Sequence, residues 1–442
     1  MTLRAVTVPL GRAGVDPLTS YRPGDILVAG PGVSLLGVGT ALEVSLATGA
    51  SSTAGAAVGA ALAAVGRDPG ATWPGAGPVA MGALPFERAP AVLVVPRLVL
   101  GRDGEGRTWL TAVVGGDEQA PDAARALAEL EARSRPLPAG RPAPSAGVPA
   151  PMAGDEDDRA ARFTAMVSEA LAAIGRGELA KVVLSRSQVI EADPPVDLAS
   201  ALVRWRQLDP AATVFAVPTG AGDHVFAGAS PELLVARRGT SVTSRPLAGT
   251  APRGADPRRR ADLLRHSEKD AAEHRIVVEA VTSVLARWCA GLDVPPRPTV
   301  IETNGVSHLA TEITGLLRPG GVAPSALGLA AALHPTPAVG GTPTQTALRV
   351  LADLEDRPRR SYAGPVGWVD AGGDGDWVVG IRAALLGEAW RPGQFRRVEL
   401  TAGVGIVRGS DPGNELAETE LKLDSIRRGL FPPEPAGLSN AG

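Results

Sequence analysis

The sequence predicts an α+β protein built on large antiparallel sheets. Strand-like runs occur in groups with helices between the groups, whereas a parallel sheet would alternate the two one for one. The turn GGDGD joins AGPVGWVDA to DWVVGIRAALL as a hairpin. With 442 residues and 44% hydrophobic content, the chain has enough apolar surface for a large core, and no repeat at a fixed period appears.

Residues 1–132 hold the strand-like runs DILVAG, AVLVVPRLVLG and TWLTAVVGG with an Ala-rich helix. Prolines and glycines then break the pattern, so 133–158 reads as a linker ahead of a long region, 159–432, and a tail, 433–442. RFTAMVSEALAAIGRGEL has apolar spacing near 3–4 and predicts a helix ending around Gly175–Gly177. Strands follow at AKVVLSRSQVI, AATVFAVPT, HVFAGAS and LLVARRGTSVTS. The charged stretch 257–290 reads as one helix, whose apolar end holds the single cysteine, Cys289, as a buried small hydrophobe. Strands are expected near 298–303 and 308–316, then a proline-broken helix at APSALGLAAALHPTPAVGG. The hairpin, the strand FRRVELTAGVGIV and a closing helix, NELAETELKLDSIRRGLF, complete the order.

Composition excludes several functions. A net charge of −3 gives no footprint for nucleic acid, and the one Arg-rich run, 251–265, is interleaved with Asp256 and Asp262. One cysteine rules out an internal disulfide framework and suits a reducing cytosol. Residues 44–66 lack charge but are mostly Ala, Gly, Ser and Thr, so they read as part of a soluble chain without a membrane span. No GxGxxG, GxxxxGK[ST], GxSxG or zinc-spaced Cys/His pattern is present.

The candidate chemistry lies in lysines and carboxylates. Of 44 Lys and Arg residues only Lys181, Lys269 and Lys422 are lysine. An ammonium can lose its proton and act as a base, which a guanidinium cannot; a strand-start lysine reaching solvent fits Lys181 as well. On the closing helix Leu416, Leu423, Ile426 and Leu430 form an apolar stripe, with Glu415, Glu418 and Lys422 at its edge. An ordinary surface i,i+4 pair accounts for them equally. Glu268 stands at a helix start beside Lys269, and carboxylates from two helices suit Mg²⁺, though acidic helix starts also simply complement the dipole. Glu232, after the turn in GASPELL, is placed for a stiffly held general acid or a plain cap. Gly403 and Gly405 permit backbone approach to an anion or tight packing, and Arg382 alternates with apolar residues as an exposed arginine or a carboxylate clamp.

In order along the chain, AKVVLSR, GASPELL, RPLAGTAPRG, SEKDAAEH, SHLAT, LHPTPAVGGTP, YAGPVGWVD and TAGVGIVRGSDPGNELAETELKL resemble the chorismate-utilising enzymes, which include isochorismate, salicylate, anthranilate and aminodeoxychorismate synthases. The resemblance covers about 160–431 and implies a two-lobed α/β sandwich that residues 1–132 complete. It implies Mg²⁺ held by Glu268 and Glu418 with Glu415 assisting, and an enolpyruvyl carboxylate held by Arg382 and Tyr362 with the Gly403 N–H. Lys422 falls near the ring carboxylate, while Gly249, Thr250, His308, Ala338 and Val339 line the pocket. Glu232 becomes the acid for the C4 hydroxyl and Lys181 the base for a water attacking C2. Ammonia-using members tend to carry Gln at the Lys181 position and need a glutaminase, so the water-using branch and isochorismate formation are expected. Salicylate synthase is the alternative; its members often have Thr where Val339 stands. A chorismate-binding protein without turnover is disfavoured by the joint presence of Lys181, Glu232 and the metal glutamates. The single cysteine points to the cytoplasm, a monomer is the default expectation, and the water-using branch needs no glutaminase subunit; the sequence does not distinguish menaquinone, catecholate siderophore and salicylate biosynthesis as the destination of the product.

Overall fold

The β-branched residues of KVVLSRSQVI favour extended backbone, and the run becomes a 17-residue strand, Lys181–Asp197. The structure is a computed structural model; it describes residues 2–12, 14–67, 73–115, 118–120, 122–133, 156–220, 224–252, 257–304 and 306–431. Most of the predicted linker and the predicted tail lie outside these residues. Lys181–Asp197 pairs antiparallel with Gln394–Val407, which pairs in turn with Ala383–Arg391. Pairing continues through Val225–Ser230 and Thr213–Pro218 to Ile26–Ala29, then to Val33–Leu46, Ala91–Asp103, Thr108–Gly115 and Leu3–Gly11.

A second run begins at the single pair Met81–Val94 and passes through Val79–Ala83, Pro365–Asp370, Gly375–Val379 and Leu233–Arg238. It ends in Ser241–Arg245, Ile313–Leu317 and Cys289–Asp293. Among the described residues only Leu3–Gly11 with Gly66–Arg67 is parallel. Leu247–Pro252, Val306–Ala310 and Thr299–Glu302 form a separate three-stranded sheet.

Side-chain alternation along the strands produces the layers. Ile26 and Val28 enter a core between the two runs with Leu35, Met81, Phe215 and Trp368. Leu27 and Ala29 point the other way, toward a core shared with helices Leu198–Leu208 and Pro412–Leu430. Helices Glu268–Leu285 and Ala326–Leu333 cover the opposite face, and Glu156–Gly175 packs against Pro412–Leu430 and the strands Lys181–Asp197 and Gln394–Val407. The order is helix, sheet, sheet, helix, the α+β sandwich that the strand grouping predicts.

The structure corrects the expectation at several elements. The stretch 257–290 is two helices, Pro257–His266 and Glu268–Leu285, because the Ser267 side chain caps the second by accepting from the Asp270 N–H at 3.2 Å. Cys289 is buried but starts a strand. Leu3–Gly11, Val33–Leu46 and Val79–Ala83 are strands beyond those read from the sequence. Val33–Leu46 runs into the uncharged stretch, whose helix is only Ala54–Ala63. Among the described residues no helix is long and apolar enough to cross a membrane.

Candidate active site

Two neighbouring strands and the closing helix carve the site. In the Lys181–Asp197 and Gln394–Val407 ladder, Gly405 opposes Val183 and Gly403 opposes Ser185. A Cβ on Gly405 would lie 2.2 Å from Glu273 Oε1 and 2.9 Å from Lys181 Cε, and one on Gly403 would lie 3.0 Å from the Tyr362 hydroxyl. Missing side chains on one strand therefore make room for charged groups from its surroundings. The result is a cavity of about 70 Å³.

The closing helix supplies two of its walls. Leu423, Ile426 and Leu430 bury their stripe, as the 3.6-residue period predicts. That fixes the helix rotation and turns Glu418 and Lys422 into the cavity. Lys422 Nζ donates to Glu418 Oε1 at 2.7 Å and to the Gly403 carbonyl at 2.8 Å. Burial alone would raise the Glu418 pKa, but Lys422, the Thr250 hydroxyl and Lys269 together hold the carboxyl below its usual range.

Glu232 sits on the opposite logic. The Gly/Ser/Pro turn is pinned by Ser230, whose hydroxyl donates to the Val379 carbonyl at 2.6 Å and accepts from the Glu232 N–H at 3.3 Å. Burial pushes the Glu232 carboxyl up to about 7, against the opposing pull of Lys181, the Leu247 N–H and Lys422. A carboxylic acid that keeps its proton near neutrality suits a general acid.

Arg382 is held in a left-handed conformation, φ +53°, which few non-glycine residues adopt. Its guanidinium donates to Ser425 Oγ at 2.9 Å and to His308 Nε2 at 2.8 Å. Arginine can only donate, so Nε2 is the acceptor, and the ring proton sits on Nδ1, which donates to the Gly249 carbonyl at 3.0 Å. Burial, then the charge of Arg382, keeps His308 well below its ordinary pKa and therefore neutral. Burial likewise pushes Tyr362 up to about 12 and Arg382 down to about 10, which leaves phenol and guanidinium in their donor forms at neutral pH.

Eleven of the fourteen residues that the resemblance gives a catalytic, binding or metal role line this one cavity: Glu232, Gly249, Thr250, His308, Ala338, Val339, Tyr362, Arg382, Gly403, Glu418 and Lys422. Three do not. Glu268 is exposed and outside the cavity. One helix turn and a half further on, Glu273 is buried and takes the place expected for it. Glu415 is 1% exposed but turns away to accept from Lys269 at 2.5 Å, which gives that lysine its contact. Lys181 is fully buried directly behind Glu273 and Gly405, with Nζ 2.9 Å from Glu273 Oε1; the angle leaves it an ion contact without a well-formed hydrogen bond. Glu273 is the residue the sequence reading missed. Its signal was its place five residues into the helix, where the buried positions Glu273, Val277 and Val281 recur every four residues.

Among the described residues no three His, Cys, Asp or Glu side chains converge closely enough to hold a metal unaided. Glu273 and Glu418 nevertheless face one cavity, and Asp270 beside them is raised chiefly by burial and further by both glutamates. Two carboxylate donors with room for water and a ligand oxygen fit Mg²⁺.

A small cavity walled by buried, paired charged groups is what an enzyme active site requires. The chain belongs to the family described as "Chorismate binding enzyme", which matches residues 29–431. It is 41% identical over 366 residues to the putative isochorismate synthase MenF of Mycobacterium tuberculosis, covering 80% of this chain and 87% of that one. Isochorismate synthase EntC of Escherichia coli is 41% identical over 267 residues, 60% of this chain and 66% of that one. The crystal structure of a putative 2,3-dihydroxybenzoate-specific isochorismate synthase, DhbC from Bacillus anthracis, superposes with a TM-score of 0.74 at 31% identity, covering 94% of this chain and 98% of that chain.

Proposed function

We propose that the protein is an isochorismate synthase, an isomerase that converts chorismate to isochorismate. The observation that carries the reading is a buried, proton-retaining Glu232 in the cavity wall, with a fully buried Lys181 set behind the Glu273 and Gly405 wall of the same cavity. Water adds to C2, its proton passing to Lys181 as base. The ring double bonds shift, and the C4 oxygen leaves as water with the proton of Glu232. Atoms balance as an isomerisation. Arg382 and Tyr362 hold the enolpyruvyl carboxylate, and Lys422 lies at the ring carboxylate.

Glu273 and Glu418 would hold Mg²⁺, with Glu273 replacing the expected Glu268. Bound there, the ion supplies charge neutralisation at the ring carboxylate. Lys181, where ammonia-using members tend to carry Gln, supports water as nucleophile and action without a glutaminase. Val339 in the cavity wall supports release of isochorismate over pyruvate elimination. The names of the relatives point the same way. The test is purified protein with chorismate and Mg²⁺, products separated by chromatography, with isochorismate expected. Salicylate and pyruvate as first products would make it a salicylate synthase, and anthranilate formed with ammonium would move it to the other branch.

A further inference from the structure

The reaction cavity adjoins a larger space. Beside its volume of about 70 Å³ lies a chamber of about 670 Å³, within the ~300–1,000 Å³ range of small-molecule sites. Tyr362 and Thr401 line both. Phe163, Met166, Phe226 and Leu385 give the chamber an apolar surface.

Its charges run against those of the whole protein. Arg159, Arg162, Arg186, Arg357, Arg359 and Arg360 face Asp158, Glu355, Asp356 and Glu399, six positive groups to four negative, in a chain of net −3. Arg359 is buried and spent on structure: it donates to the Val339 and Val183 carbonyls at 2.6 Å each and pairs with Glu355. Arg360 is exposed, and among the described residues its guanidinium makes no hydrogen bond or ion pair. A positive mouth over apolar walls concentrates anions.

The partition is strained where it meets the chamber. Arg360 at φ +55° and Ala363 at φ +62° bracket Tyr362, and such left-handed residues persist only where the surroundings enforce them. The Arg359 contacts are that enforcement, and they fix the turn that presents Tyr362 to both cavities. Thr401 is restrained more lightly, by one hydroxyl contact with Ser187 at 2.9 Å.

From these observations we infer that the arginine-rimmed chamber is the antechamber through which a small cyclic dicarboxylate reaches the reaction cavity, with Tyr362 and Thr401 as its inner door. The inference rests on the isochorismate synthase reading for its substrate. Arg162 and Arg360 lie on the rim, outside the reacting groups, so Arg162→Glu with Arg360→Glu tests it. At low ionic strength kcat/KM should fall about tenfold with kcat unchanged, and the gap should close near 0.5 M salt as screening shortens the reach of the charges. Cys289 is the sole cysteine and only 2% exposed, so Thr219→Cys on the chamber wall can be labelled selectively with a bulky neutral maleimide. The labelled protein should lose at least tenfold in kcat/KM while the unlabelled variant keeps it. A wild-type enzyme that does not turn over chorismate refutes the function itself. Turnover that ignores both the charge reversal and the label overturns the antechamber.

Discussion

The reaction cavity and a much larger groove make an instructive pair. The groove, about 1440 Å³, is bordered by helices Ala54–Ala63, Ala326–Leu333 and Thr344–Leu354 and contains none of the residues assigned to chemistry. The reaction cavity has about 70 Å³ yet gathers Glu232, Glu273, His308, Arg382, Glu418 and Lys422. Buried charge is expensive unless paired, so a fold that keeps six polar groups around so little space does so for a use. Volume alone marks only where helices fail to meet.

The contrast can be broken most severely at the acid and the base. Lys181→Arg keeps the charge but cannot act as base, and Glu232→Gln keeps the shape but cannot give up a proton. Each should lower kcat roughly 100- to 10,000-fold in a product assay with circular dichroism unchanged. Near-normal turnover in either variant would remove that residue from the mechanism.

Gly405→Ala should come next. Its methyl group would meet Glu273 Oε1 at 2.2 Å and Lys181 Cε at 2.9 Å. Overpacking there should cost about 1–3 kcal/mol of stability and at least tenfold in kcat/KM, read by thermal unfolding and kinetics together. An alanine that is silent in both would mean the cavity floor yields freely.

Glu232 also sets a pH dependence. Its pKa in the folded protein, about 7, lies above the ordinary 4.5. The acid form is therefore favoured on folding, and its stabilising contribution is complete below pH 4.5 and lost as pH rises through 7. Wild-type kcat/KM should fall above pH 7, and the Tm of Glu232→Gln relative to wild type should grow between pH 4.5 and 7. A flat Tm difference across that window would show that Glu232 ionises normally.

Smaller effects separate positioning from bulk packing. Ser425→Ala removes one hydrogen bond to Arg382 and should raise KM about 3- to 10-fold with little change in kcat. In the large groove, Leu348→Ala should cost about 1–2 kcal/mol of stability and leave kcat/KM alone. A kinetic effect of Leu348→Ala would join the two cavities functionally and undo the contrast.

Local pattern revealed much of this arrangement. The stripe of Leu423, Ile426 and Leu430 set the rotation of the closing helix, and with it the side on which Glu418 and Lys422 emerge. The turn before Glu232 and the glycines at 403 and 405 read correctly as places of restraint and close approach. Glu268 failed because two acids five residues apart look alike in a sequence, while on a helix they point about 140° apart. Only packing against the glycine strand shows that Glu273 faces inward. Val79–Ala83 escaped because a five-residue run rich in Ala and Gly has little periodicity until Pro365–Asp370 pairs with it, and Leu3–Gly11 escaped because only Ala5 is buried, so no buried face repeats along it.

By itself the sequence determined the fold class, the order of the elements and most of the chemical inventory, since periodicity, turns and residue type are local properties. Tertiary structure decided which groups share a solvent-poor space. It placed Lys181 behind Glu273, turned Glu415 toward Lys269 and gave Glu232 its proton. Those outcomes depend on distance and desolvation between residues far apart in the chain, and neither quantity exists until the sheets close.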